Sequence, residues 1–252
     1  MNPKNLPRRK GSSPRQFPLR LNSRYNYDMA NQAFLSIWLK DLPEDAMLQR
    51  WGDFLGTIPF SETQPGFTYL EVRAVDSSET PILEQDLRSL PLDAPSIIEL
   101  AKPHLHSDSN YMTMTKWDLW SQEGEPAAWK NSPKNLVLAC NGEDFDDKIW
   151  EEDGHFAALL GLEHYFTGHG GVLGVRQIAR PEAQSPEEAL FLESMKVPAN
   201  LQIYQEKTRD NIKKLFDWVG RIEKAIPAVN VRIWSEGEEN LEARLDEILA
   251  VR

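Results

Sequence analysis

The feature that most constrains the fold is a change of hydrophobic period between residues 34 and 75. FLSIWLK, residues 34–40, alternates: Leu35, Ile37 and Leu39 share one face, with Phe34, Ser36, Trp38 and Lys40 on the other. A period of two predicts a strand with one core face. DLPEDAMLQRWGDFLG follows, with Met47, Leu48, Trp51 and Leu55 at helical spacing. That stripe predicts an amphipathic helix. Asp41, Glu44 and Pro43 mark its start, and Gly56 and Pro59 its stop. PGFTYLEVRAV then turns into a second strand over 67–75. Strand, helix and strand in so short a span predict a βαβ-like unit and exclude an all-helical or all-β chain.

The rest of the chain continues the mixture. Residues 76–94 read as loop, and PSIIELAK as a short helix ending at Pro103. NYMTMTKWDLW, 110–120, reads as a long strand with large apolar groups on both faces, and NLVLAC, 135–140, as another. Asn141-Gly142 behind it predicts a hairpin turn. GHFAALLGL, 154–162, fits a strand or a short buried helix equally well. Ser185, Pro186 and Glu188 fit N-cap, N1 and N3 of a helix. A longer helix follows to about Lys224, its inward stripe made of Leu201, Tyr204, Thr208, Ile212, Leu215, Val219 and Ile222. VNVRIW is a further strand, and Ser235 with Glu238 is expected to cap a last helix. The pattern predicts an α+β fold: a mixed, largely antiparallel sheet, an N-terminal strand-helix-strand unit, and C-terminal helices packed on the sheet. Residues 29–252 are expected to form one domain, with a sub-boundary near 180–186.

Charge is unevenly distributed. Residues 1–28 carry Lys4, Arg8, Arg9, Lys10, Arg15, Arg20 and Arg24 against Asp28 alone, a net of +6, so the chain total of −11 leaves the remainder at −17. The head has four prolines and no apolar segment of signal-peptide type, and reads as a disordered basic extension. A body this acidic repels nucleic-acid phosphates and favours a basic protein partner. No apolar run reaches the ~18–20 residues of a membrane span. A single cysteine, Cys140, rules out an intrachain disulfide and fits a cytoplasmic protein, with Cys140 itself a buried small hydrophobe.

Three constellations carry chemistry. The stretch EHYFTGHGGVLG, 163–174, places His164 and His169 among glycines, with His155 upstream and the acidic run NGEDFDDKIWEED beside them. Neutral imidazoles with carboxylates can hold a divalent transition metal, so His155, His164 and His169 are the candidate ligands of a metal-dependent hydrolase. Against this, no HExxH is present, the acidic run fails the calcium-loop pattern, and the glycines make a helix unexpected there. Gly168, Gly170, Gly171 and Gly174 lack the lysine and the spacing of a phosphate loop. The acidic run interleaves Asp144, Phe145, Asp146, Asp147 and Trp150, a mixture suited to a basic partner's surface. Trp117 and Trp120 could stack on a sugar or another small ligand, the alternative being a covered core face. With no strong catalytic motif, the leading expectation is a non-catalytic acidic interaction or binding protein. A metal-dependent hydrolase and a carbohydrate or small-ligand binder are the alternatives.

Overall fold

The computed structural model describes residues 31–124, 128–169, 172–173 and 185–250. The basic extension 1–28, together with Gly170, Gly171 and Gly174, lies outside them. In chain order the elements are β1 (Gln32–Leu39), α1 (Glu44–Leu55), β2 (Tyr69–Ala74), β3 (Leu83–Asp86), α2 (Ala94–Ala101), β4 (Ser109–Glu123), β5 (Ala128–Asn141), α3 (Trp150–Asp153), β6 (Phe156–Leu162), α4 (His164–Thr167), α5 (Pro186–Ser194), α6 (Pro198–Ala225), β7 (Ala228–Ser235) and α7 (Leu241–Ala250). The strands form one seven-stranded sheet in the order β3-β2-β4-β5-β6-β1-β7, and each neighbouring pair is antiparallel. The fold is α+β.

The helix α1 does cross between parallel strands, because four antiparallel steps separate β1 from β2. The two are not neighbours, however, since β4, β5 and β6 lie between them. The predicted unit is thus correct in its elements and spread across the sheet instead of local. Among the described residues no helix is long and apolar enough to cross a membrane.

One face of the sheet carries the main core. Leu35, Ile37 and Leu39 of β1, Tyr111, Trp117 and Leu119 of β4, and Leu136 and Leu138 of β5 meet Met47, Trp51 and Phe54 of α1 and Ile212, Leu215 and Trp218 of α6. Aromatic rings join these layers. Phe54 stacks between Phe156 at 5.2 Å and Trp218 at 6.1 Å, and Trp117 packs on Trp218 at 5.8 Å and Phe166 at 5.9 Å. The opposite face has a smaller cluster of Phe34, Met112, Val137 and Leu159, flanked by Tyr69, Met114 and Trp234. Both faces of β4 therefore bury large side chains, as its sequence implied.

Several local readings need correction. β3, sequence LEQD, lies in the stretch read as loop. Residues 156–162 are a strand, which settles that ambiguity. Helix α1 starts at Glu44 without a side-chain cap, and the Glu44 carboxylate instead accepts the Ser107 N–H. Ser185 caps α5 as expected, accepting Glu188 N–H at 3.1 Å. Ser235 accepts Glu238 N–H, but α7 begins later, with Asn240 Oδ1 accepting from Ala243.

Gly142 makes no hairpin turn, because the connection from β5 to β6 runs through the whole acidic stretch. Glycine is required there by a close backbone approach. Its N–H donates to Ser109 O, and a Cβ would lie 2.2 Å from Ser107 O.

Candidate functional site

The long hairpin β4–β5 extends beyond the strands on either side of it. Past residue 114, β4 has no strand partner in β2, and its edge is satisfied by other means. Ser61 N–H donates to Lys116 O, and Asp118 accepts Glu62 N–H. Farther along, Asn211 of α6 takes over. Its Oδ1 accepts Trp120 N–H at 2.8 Å, and its Nδ2 donates to Trp120 O and Tyr165 O, both at 2.9 Å. A buried primary amide can satisfy one donor and two acceptors in this way. Asn211 thereby ties α6 to both the hairpin and α4. Sequence reading missed it, although a polar residue continuing the Tyr204–Thr208–Leu215 stripe is a visible signal.

The junction of these elements forms a half-open pocket of about 180 Å³. Its ring-bearing lining is Trp120 from β4, Trp129 from β5, His164 and Tyr165 from α4, His169, and Tyr204 from α6. Ser121, Gln122, Glu123, Lys134 and Thr208 supply the polar lining.

The α4 helix is a single turn, where the glycines made a helix unexpected. Gly168 ends it at φ 75°, in the left-handed region where glycine is favoured, and turns the chain back. His169 thus returns over His164, their rings stacked at 4.0 Å with 27° between planes. His169 N–H donates to the Tyr204 hydroxyl at 2.8 Å, so that hydroxyl keeps its own proton to donate.

Electrostatics make the pocket nearly neutral. Burial, then the neighbouring His169, drives His164 down to about 3 from the ordinary 6.5. Burial also lowers His169, with Glu188 opposing. Both imidazoles are therefore uncharged at pH 7. Glu123 accepts from Lys134, Ser132 and Ser121, which hold its carboxyl at about 2. Its charge is balanced by Lys134. The Lys207 ammonium covers one face of Trp120, 3.7 Å from the ring centroid.

The three histidines are not brought together. His155 and His164 stand at opposite ends of β6, roughly 25 Å apart at strand rise. Leu39 N–H donates to His155 Nδ1 at 3.1 Å, so the neutral ring carries its proton on Nε2 and presents a donor there, not a metal ligand. Trp150 stacks on this imidazole at 4.3 Å. Among the described residues no group of three or more His, Cys, Asp or Glu side chains is placed to hold a metal ion.

The acidic run packs back on the body. Phe145 is buried, and Trp150 donates to Glu143 O while covering His155. Asp144 accepts the Ser107 hydroxyl at 2.7 Å, and Asp146 accepts Ser77 N–H at 3.4 Å. Asp146, Asp147 and Lys148 all have positive φ. The two aromatics that were candidate anchors thus face inward, and Asp147 remains in the exposed loop.

Trp117 is fully buried in the aromatic core, whereas Trp120 lines the pocket. Trp129 was not among the candidate site residues, and Tyr204 was read only as part of the inward stripe of α6. They meet, with ring centroids 5.3 Å apart, only because α6 packs on the hairpin. No protein-family model matches this chain, and comparisons with curated proteins and with solved structures find no match either.

Proposed function

We propose that the protein is a non-catalytic binding protein whose site is the pocket between the β4–β5 hairpin, α4 and α6, and that its ligand is a small, neutral, hydroxylated ring such as one carbohydrate unit. The observation that carries this reading is a near-neutral, ring-walled cavity inside a strongly anionic protein. Its volume, about 180 Å³, lies below the range of pockets for drug-sized ligands and suits one small ring, not a peptide or a drug-sized molecule. Aromatic walls offer flat apolar faces to ring C–H groups. The two uncharged imidazoles, the Tyr204 hydroxyl, Gln122 and the Glu123–Lys134 pair offer both donors and acceptors to hydroxyls around a ring edge. An ionic ligand would face no uncompensated countercharge from Glu123 and Lys134, which already neutralise each other.

Tryptophan fluorescence titrations with neutral monosaccharides test this. A saturable response is expected with Kd on the order of 1 mM, about −4 kcal/mol, which is typical strength for so small a contact. Trp129→Ala should weaken it at least tenfold. A response only to charged ligands, or one untouched by Trp129→Ala, would remove the reading.

A further inference from the structure

The polar end of the pocket is organised around one carboxylate. Ser121 and Glu123 are two residues apart on β4, and Ser132 and Lys134 two apart on β5, so each pair shares a face of its strand. All three neighbours of Glu123 reach the same atom. Its Oε1 accepts the Ser121 hydroxyl at 2.9 Å, the Ser132 hydroxyl at 2.5 Å and the Lys134 ammonium. Among the described residues nothing donates to Oε2. The side chain is 34% exposed and lines the pocket, so this carboxylate is open to a ligand.

The asymmetry separates two tasks. Oε1 is the anchor. Three donors fix the side chain, so little rotamer freedom is left to lose when a ligand arrives. Oε2 is the open acceptor. A carboxylate accepts hydrogen bonds and donates none, so a group that meets Oε2 must bring its own hydrogen. Lys134 and the two serines hold the carboxyl at about 2, so it stays ionised across the neutral range. A hydrogen bond to an ionised acceptor is stronger than one between neutral groups. The charge of the incoming donor is limited as well. A ligand ammonium would meet the Lys134 ammonium, which sits on the same carboxylate and 5.5 Å from the Tyr165 ring centroid. An anionic group would meet Oε2 itself. A neutral hydroxyl meets neither repulsion.

On the reading of this pocket as a sugar site, we infer that Glu123 Oε2 is its specificity-determining acceptor: it takes the hydrogen of one particular ring hydroxyl, and through that bond the pocket distinguishes one sugar from another. Glu123→Gln is a close isostere with a defined consequence. The amide oxygen can keep Ser121, Ser132 and Lys134, while the NH2 group puts a donor where the open acceptor stood. The charge-assisted bond to the ligand is lost, and the anchoring of the side chain is kept.

Fluorescence titrations of wild type and Glu123→Gln with glucose, galactose and mannose, and with the deoxy and deoxyfluoro form of each at every ring position, test this. Fluorine replaces the hydroxyl in size but has no hydrogen to donate. In the wild type, one position should stand out, with deoxy and deoxyfluoro forms both bound about tenfold or more weaker than the parent sugar. In Glu123→Gln the parent should bind about tenfold weaker, and the penalty at that one position should shrink to about threefold or less, the sign that ring hydroxyl and carboxylate are coupled. A deoxyfluoro form that binds like its parent at every position would overturn the inference, since no hydroxyl then acts as the donor. So would a folded Glu123→Gln that binds the neutral sugars like wild type, with the reading of the pocket itself left standing. Should Glu123→Gln fail to fold, the wild-type series of analogues decides alone. No response to any neutral sugar would remove the reading of the pocket and this inference together.

Discussion

Asn211→Ala removes the side chain that joins α6, the hairpin edge and α4. The wild-type amide makes three hydrogen bonds of 2.8–2.9 Å to Trp120 N, Trp120 O and Tyr165 O, and Asn211 is 3% exposed. Each backbone group left buried and unpaired costs about 1–3 kcal/mol. Water entering the vacated space would recover part of this, so we expect a loss of about 3 kcal/mol in total. For a chain of this size that is a fall of about 6–12 °C in melting temperature.

The near-isosteric Asn211→Asp separates hydrogen bonding from packing. A carboxylate can still accept from Trp120 N–H, but it faces two carbonyl oxygens where the amide donated. The introduced acid should therefore have a folded pKa well above its unfolded ~3.9. Its folded form binds the extra proton, so the penalty relative to wild type is smallest below pH ~3.9 and grows as pH rises through the raised value. Urea unfolding of wild type and both variants at several pH values reads these effects. A loss under 1 kcal/mol for Asn211→Ala, or an Asn211→Asp penalty that does not grow with pH, would refute the assignment of Asn211 as the tie between α6 and the site.

Three further outcomes are expected. His164, lowered to about 3 in the fold, contributes stability that is present above pH ~6.5 and is lost as pH falls from there toward 3, so His164→Gln should flatten the acid side of the stability profile, read by chemical unfolding. Asp153 is raised to about 7, by burial first and then by Glu152 and Asp146, and its stability contribution is lost as pH rises through that value; Asp153→Asn should raise the melting temperature at pH 8 and leave it unchanged at pH 4. Gly142→Ala would drive a methyl group to 2.2 Å from Ser107 O and 2.8 Å from Ser109 O, both backbone atoms, and should cost about 3 kcal/mol or more by thermal unfolding.

Much of the fold was written in local pattern. The alternation of Leu35, Ile37 and Leu39 places β1 on the core, and the stripe from Tyr204 to Ile222 sets the inward face of α6. These segments each bury one face against a continuous partner, so period and burial coincide. β3 was hidden for the opposite reason. As a short edge strand with exposed acidic residues it has no apolar period to read. Gly142 misled because a turn and a close backbone approach select the same residue.

The site was legible only in pieces. His164, His169 and Trp120 stood out by chemistry, but Trp129 and Tyr204, 75 positions apart in the chain, complete the pocket. Their meeting depends on how α6 crosses the hairpin, which no local window reports. His155 was grouped with the other histidines by proximity in sequence, and a strand of seven residues then carried it to the far end of the sheet.

The most direct test is chemical-shift mapping of the isotope-labelled protein with a panel of neutral sugars. Binding in the pocket predicts progressive, saturable shifts of the Trp120 and Trp129 indole and His164 and His169 ring signals, with Trp117 and His155 little changed. Shifts confined to the acidic loop around Asp146 and Asp147, or none for any neutral sugar at millimolar concentration, would contradict it.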